Sequence, residues 1–117
     1  MMKTKCGIIL WADFEKVQIR KGTLIKAREF PEARKPSLQV WVDFGPELGT
    51  LKSSAQITIH YRPEELAGRP VMGVTNFPDK QIGPFMSEFL LLGFEDENGD
   101  ILLATTDPRV PDGALLK

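Results

Sequence analysis

Hydrophobic and polar positions alternate with a period of two over much of this chain, as in β-strands that bury one face. The clearest example is the run 38–44. Its apolar face holds Leu38, Val40, Val42 and Phe44. Its other face holds Gln39, Trp41 and Asp43. We expect Trp41 to be partly exposed, covered by another element or part of an interface.

Similar patterns predict further strands, separated by turn residues. They cover 19–30, 51–59 (or a helical turn after Ser54) and 71–77, followed by an apolar run at 86–94. Asn98-Gly99 then predicts a hairpin between that run and 101–106. Single helical turns are expected at 13–17 and 63–66, and an extended or looped tail follows residue 106.

About five strands, with one short helical connection before the fourth, match a small Greek-key barrel. We therefore predict an all-β fold, a five-stranded OB-fold barrel with short helical turns. The strand pattern alone leaves other small barrels open.

Composition narrows the class of protein. The 117 residues suffice for one domain, and 42% hydrophobic with 26% charged residues is ordinary for a globular chain. No apolar run approaches the roughly 20 residues that span a bilayer, so we expect no membrane insertion. The segment 7–12 is too short for a secretory leader. The single Cys6 forms no internal disulfide, which favours a cytoplasmic location.

Charge is nearly balanced overall but unevenly distributed. A net charge of −1 argues against coating nucleic acid by bulk attraction. Residues 16–35 carry seven basic side chains against two acidic ones, whereas residues 94–117 carry two against six. This separation indicates either one basic face or two solvated surfaces.

No group of residues has the arrangement of a catalytic or metal site. Cys6 has no histidine partner, and Glu64-Glu65 is typical of a solvated helical turn. His60, the single histidine, has no partner at metal-ligand spacing, and the acidic run 95–100 lacks the spacing of a calcium loop. We predict a binding protein without enzymatic activity, cofactor or metal.

Three blocks instead combine positive, hydroxyl or amide groups with fixed loop backbone, as in a recognition surface on strand ends. They are 29–36, 52–58, and 76–83 with 87–88.

Many short motifs, in a single order, resemble the CsaA family of stand-alone tRNA-binding-domain proteins. They include Asp13-Phe-Glu-Lys, Ile19-Arg20, Gly22-Thr23, Glu29-Phe-Pro-Glu-Ala-Arg-Lys-Pro36, Val42-Asp43-Phe44-Gly45, Ser53-Ser-Ala-Gln-Ile57, Asn76-Phe-Pro78, Ser87-Glu88 and Leu92-Gly93. The match begins near Asp13, so we expect an N-terminal extension at 1–12 and a tRNA-binding domain at 13–117.

The resemblance implies an OB barrel that works as a homodimer. It implies binding of tRNA by its overall shape, as in domains appended to aminoacyl-tRNA synthetases, or chaperone-like binding of unfolded or pre-export polypeptides. An alternative is a secretion chaperone that binds only peptides. The family signature falls on Asn76, Lys80, Gly83, Ser87 and Glu88. Phe89-Leu90 follow, where the broader tRNA-binding domains have Gly-Met, and this favours the CsaA branch.

Candidate RNA contacts follow from charge and from the resemblance. We expect Arg34, Lys35 and Lys80 to meet phosphates, with Lys52 beside them if its strand is adjacent. Asn76 and Ser87 could donate to phosphates or to the main chain of a peptide. The alternatives are a turn-capping amide for Asn76 and an exposed strand charge for Lys52.

Candidate peptide contacts come from aromatic residues near the same signature. Phe77, Phe85 and Phe89 surround the 76–87 loop and predict a pocket with Asn76 and Ser87 at its rim.

Overall fold

Short strands make up most of the regular structure in the computed structural model, which describes residues 7–117. The strands are β1 (Ile19–Glu29), β2 (Leu38–Asp43), β3 (Thr50–Ala55), β4 (Pro70–Val74), β5 (Lys80–Ile82), β6 (Phe85–Ser87), β7 (Leu90–Leu91), β8 (Gly93–Glu95) and β9 (Ile101–Leu103). The helical segments are α1 (Trp11–Glu15), α2 (Gly45–Leu48) and a 3₁₀ turn at Pro63–Glu65. The predicted all-β class is confirmed.

Five strands form one antiparallel sheet in the order β3-β2-β1-β4-β7. β1, β2 and β3 follow one another along the chain, and β4 returns to lie beside β1, which is the Greek-key arrangement. β3 also contacts β6 and β7 across the remaining gap. The sheet therefore forms a nearly closed five-stranded barrel, and the predicted OB-type fold is confirmed.

β1 bends so that it can pair with two strands. Ile19–Thr23 pair with β4, whereas Thr23–Glu29 pair with β2. A β-bulge between Leu24 and Lys26 increases the bend and twist of the strand. A Cβ atom on Gly22 would lie 2.4 Å from Val42 Cγ1. Glycine at this position thus allows β1 to pass close to β2.

The barrel core is built on the predicted alternation of β2. Leu38, Val40, Val42 and Phe44 are all buried, as are Leu24 and Val71 from the neighbouring strands. Leu66, which follows the 3₁₀ turn, is also completely buried. Each such side chain contributes about 1.5–3 kcal/mol by leaving water.

The second half of the chain is more broken than its apolar pattern indicates. β8 and β9 form the predicted hairpin around Asn98-Gly99. The apolar run 86–94, however, is divided among three short strands because its backbone changes partners: the Glu88 amide donates to Lys52, and the Leu92 amide donates to Met72.

Several helices and strands begin or end at residues other than the predicted ones. α1 begins two residues before the expected turn, and α2 follows β2 where only a strand end was expected. β3 ends at Ala55 without the alternative helix. β4 ends at Val74, and the Thr75 amide makes one further bond in the same register, to the Gln18 carbonyl.

The segment 112–116 completes the free side of β1. The Leu116 amide donates to the Ile19 carbonyl, and the Gly113 amide donates to the Lys21 carbonyl. The buried Lys21 ammonium lies 2.7 Å from Asp112. Partial burial opposes ionisation of Asp112, but hydrogen bonds from Lys21 and Thr23 outweigh it and lower the pKa of this carboxyl.

Some predictions concern the N-terminal region, and the described residues do not test them. Cys6 falls outside the described residues, and the boundary between an extension at 1–12 and a domain at 13–117 stays a prediction. α1 runs across that boundary. Within residues 7–117, no helix has the length and apolarity needed to span a membrane.

Candidate functional site

An open groove of about 1540 Å³ runs along one side of the barrel. Its walls are the loop at 32–37, the end of β3, the segment 77–83 and the strands from β6 to β9. Of the residues predicted to bind ligands, six line it: Arg34, Lys35, Phe77, Lys80, Ser87 and Phe89. Asn76, Lys52 and Phe85 do not.

A loop and a short strand bring positive charge to this groove. Arg34 and Lys35 lie between Pro31 and Pro36 in a loop closed by the bond from the Phe30 amide to the Ser37 carbonyl. Within residues 7–117, neither cation forms an ion pair, and Lys80 on β5 has none either. These charges remain available to an anionic ligand.

The groove also contains acidic side chains. Glu32 lies in the same loop as the two cations, and Glu95 and Asp100 come from the β8–β9 hairpin. The groove therefore presents both signs of charge, and its ligand must be compatible with carboxylates as well as cations.

The Asn76 side chain is engaged in structural hydrogen bonds. Its amide nitrogen donates to the Lys16 carbonyl at 2.7 Å, and its oxygen accepts the Gln18 amide at 3.0 Å. These bonds attach the segment after α1 to the end of β4. The bonds are long-range and do not cap the turn at Phe77-Pro78, as the predicted alternative had it. Ligand binding by Asn76 stays a prediction.

Ser87 and Glu88 close the barrel. Ser87 Oγ accepts the Ser54 amide at 3.2 Å and lies 3.2 Å from Ser53 Oγ. The Glu88 carboxylate accepts the Lys52 amide at 3.0 Å, while the Glu88 amide donates to the Lys52 carbonyl at 2.8 Å. The Ser-Glu pair thus replaces a strand ladder between β3 and β6. Its part in ligand binding stays a prediction.

The three predicted pocket rings do not converge on one pocket, which corrects the geometry inferred from sequence. Phe89 is 4% exposed and packs edge-on against Phe44 in the core. Phe85 is 7% exposed and packs against Phe30 and Trp41. Phe77 is 54% exposed in the groove. Only Phe77 offers a ligand a largely accessible ring.

Lys52 belongs to a different surface, the outer face of the first three strands. Its ammonium lies 5.3 Å from the centre of the Phe85 ring. Trp41, its cross-strand neighbour on β2, lies under Lys26 and Arg28 of β1. Sequence reasoning missed these two β1 cations because the β-bulge between Leu24 and Lys26 changes which side chains lie beside Trp41.

His60 also gains partners that its spacing did not indicate. His60, Asp96 and Asp100 offer ligand atoms within 4.8 Å of one another. His60 Nε2 lies 2.6 Å from Asp96 Oδ2, and Asp96 Oδ1 accepts the Asn98 and Asp100 amides. The His60 hydrogen bond is the largest of the effects that lower the pKa of Asp96. Because both Asp96 oxygens are engaged in these contacts, the cluster holds the β8–β9 hairpin against the segment that carries His60.

A nearly closed Greek-key barrel with a groove of mixed charge along one side places this chain in the OB class. Its fold matches a crystal structure of the chaperone CsaA from Bacillus anthracis at 41% identity and a TM-score of 0.88, covering 95% of this chain and 100% of that one. CsaA from Picrophilus torridus matches at 38% identity and the same TM-score, with 94% and 100% covered. This chain belongs to the CsaA family.

Other comparisons extend to synthetase-related proteins. A methionine–tRNA ligase from Parabacteroides distasonis is 34% identical over 105 residues, which is 90% of this chain and 15% of that enzyme. The chain thus spans about 15% of the length of the curated relatives it matches. A methionyl-tRNA-synthetase-related protein from Pyrococcus horikoshii has 27% identity and a TM-score of 0.83, with 94% and 98% covered. No family model matches the sequence.

Proposed function

We propose that this protein binds tRNA-type RNA through the groove, with Arg34, Lys35 and Lys80 meeting phosphates. The observation that carries the proposal is the convergence of these three cations on one groove with no ion pair among the described residues. The likeness to methionine–tRNA ligases supports RNA as the ligand. The protein would act by binding, without enzymatic activity.

The salt dependence of tRNA binding tests this proposal. Each phosphate contact contributes roughly 0.7–0.9 to the slope of log K against log salt. The triple variant Arg34→Ala/Lys35→Ala/Lys80→Ala should therefore bind tRNA more weakly and with a slope smaller by about two to three.

A matched control removes the same charge elsewhere. Lys16, Arg109 and Lys117 are exposed and lie outside the groove. Replacing these three with alanine should change the slope by much less. Equal slopes for the two triple variants would refute the groove as the RNA site.

A second candidate function is binding of unfolded or pre-export polypeptides. Two exposed apolar side chains in the groove favour it, Phe77 and the 48% exposed Leu90. Solved relatives carry the name chaperone CsaA. An extended peptide could place apolar side chains on these two residues and its charged groups near the groove cations or carboxylates.

Suppression of client aggregation tests this second function without disturbing the core. Phe77→Ala/Leu90→Ala should weaken protection of a denatured client while the melting temperature stays near wild type, because exposed substitutions usually change stability by about 0.5 kcal/mol or less. Phe94, which is exposed outside the groove, supplies the control as Phe94→Ala. Full protection by the double variant would exclude the groove as a peptide site.

We also propose a cytoplasmic homodimer. Apolar side chains at both ends of the described chain are exposed, including Leu10, Trp11 and Leu116. Covering them with a second copy would remove an apolar surface from water. Light scattering should give a mass near twice 13.1 kDa, and a monomer at micromolar concentration would contradict the proposal.

A further inference from the structure

We propose that the outer face of the first three strands is a second contact surface for the RNA phosphate backbone. The surface, here called the basic strip, consists of Lys26, Arg28 and Lys52 around Trp41. This inference rests on the proposed RNA-binding function and adds a separate set of residues to it.

Strand register builds the basic strip. Lys26 pairs with Trp41, and Trp41 pairs with Lys52, so these three residues form one row across β1, β2 and β3. Arg28 lies in the next row, opposite Gln39. Neighbouring strands are roughly 4.8 Å apart, so Lys26 and Lys52, two strands apart, stand about 9.6 Å from each other on either side of Trp41.

The Trp41 ring holds two of the cations in place. Lys26 Nζ lies 4.8 Å from the ring centre, and the Arg28 guanidinium carbon lies 5.1 Å from it. Phe85 packs edge-on against the same ring, with centres 6.0 Å apart, and fixes its orientation. Cations that are ordered before binding lose less conformational entropy when a phosphate arrives. Trp41 is therefore a positioning residue.

Hydrogen bonding leaves the cationic ends of the basic strip open. Arg28 Nε donates to Gln39 Oε1 at 2.8 Å, and within the described residues the two terminal guanidinium nitrogens make no hydrogen bond. Within residues 7–117, none of Lys26, Arg28 and Lys52 forms an ion pair, although Glu29 follows Arg28 in sequence and the Glu88 carboxylate accepts the Lys52 amide. A row of uncompensated cations complements a polyanion better than an apolar peptide.

β6 connects the basic strip to the groove. Phe85 contacts Trp41, and Ser87, two residues further on, lines the groove. A single folded RNA can therefore contact both surfaces, which explains why a protein with a net charge of −1 can bind a polyanion. The attraction is concentrated on two adjacent surfaces instead of being spread over the whole protein.

Titration with unfractionated tRNA at 50 and 200 mM salt tests the basic strip. The variant Lys26→Ala/Arg28→Ala/Lys52→Ala should lose about two to three from the salt slope, so its deficit against wild type should be roughly 20- to 40-fold larger at 50 mM than at 200 mM. The control is the alanine triple variant at Lys16, Arg109 and Lys117.

Trp41 variants separate positioning from charge. Trp41→Leu keeps all three cations, so the slope should persist while affinity falls about two- to fivefold at both salt concentrations. Trp41→Phe keeps a ring and should restore much of that loss. In a Trp11→Phe background Trp41 is the single tryptophan, and its fluorescence should change on tRNA binding.

The outcomes distinguish this inference from the proposed function. If wild type fails to bind tRNA, the proposed function fails and the inference fails with it. If wild type and the basic-strip variant bind with the same slope while the groove variant does not, the inference alone is overturned. Equal affinity of wild type for polyglutamate and tRNA would also overturn it, because the strip would then be a general polyanion site.

Discussion

The groove and the basic strip each present three cations, but they hold them differently. Arg34 and Lys35 extend from a loop, with Lys80 on a short hairpin strand, whereas the cations of the basic strip stand on paired strands beside an aromatic ring. Loops adapt to a ligand, while strands fix the distances between charges. We expect the groove to determine which ligands are accepted and the basic strip to supply sequence-independent affinity.

The largest effect should come from removing the ring that supports the basic strip. Phe85→Ala deletes a buried side chain that packs against Phe30 and Trp41, and such changes typically reduce the free energy of unfolding by about 3–5 kcal/mol. Phe77→Ala, on the groove side, should change it by about 0.5 kcal/mol or less because Phe77 is largely exposed. Urea unfolding of the two variants measures this difference. Similar urea midpoints for the two variants would show that Phe85 contributes no more to stability than the exposed Phe77.

An intermediate effect should follow from weakening the strand that joins the two surfaces. Ser87→Ala leaves the Ser54 amide without its acceptor. Because this donor is only partly buried, the cost should lie near the lower end of the about 1–3 kcal/mol for a buried one. The control is Ser54→Ala, because within the described residues the Ser54 hydroxyl makes no hydrogen bond. Thermal unfolding compares them. If Ser54→Ala is as destabilising as Ser87→Ala, the Ser87 bond does not hold the barrel closed.

The smallest expected effect is on thermal stability at acid pH. It concerns Asp96 in the β8–β9 hairpin, whose strands line the groove. The pKa of Asp96 is lowered in the folded state, chiefly by the His60 hydrogen bond. The stability this provides is present above the ordinary carboxyl pKa of about 4 and disappears as the pH falls through the lower folded value. Wild type should therefore melt slightly above Asp96→Asn at pH 6, and this gap should close as the pH falls below 4. If the difference in melting temperature between the two proteins does not change with pH, ionisation of Asp96 is not its cause.

Local patterns in the sequence predicted the parts of the fold that depend on neighbouring residues. The alternation of β2 placed Phe44 inside and Trp41 outside, and Asn98-Gly99 marked the hairpin. The groove cations Arg34 and Lys35 could be predicted because a loop between prolines exposes its side chains whatever the strand register.

The basic strip could not be predicted because a β-bulge changes the alternation of β1. A strict period of two puts Leu24, Lys26 and Arg28 on the same face, but the extra residue Ile25 turns both cations outward while Leu24 stays in the core. Asn76 shows a second cause. Its bonds to Lys16 and Gln18 span about 60 residues of sequence, and no local pattern reports such a contact.

The last described residues of the chain complete its first strand, and this has a consequence for synthesis on the ribosome. Ile19 receives a hydrogen bond from Leu116, and Lys21 stays without its carboxylate partner until Asp112 emerges. A nascent chain can pair β1 with β2 early, yet one side of β1 remains open until residues 112–116 have left the exit tunnel. Strand edges that wait for distant partners fold slowly and are prone to pair with other chains. A nascent chain that lacks residues 112–116 therefore exposes a strand edge that the folded protein covers.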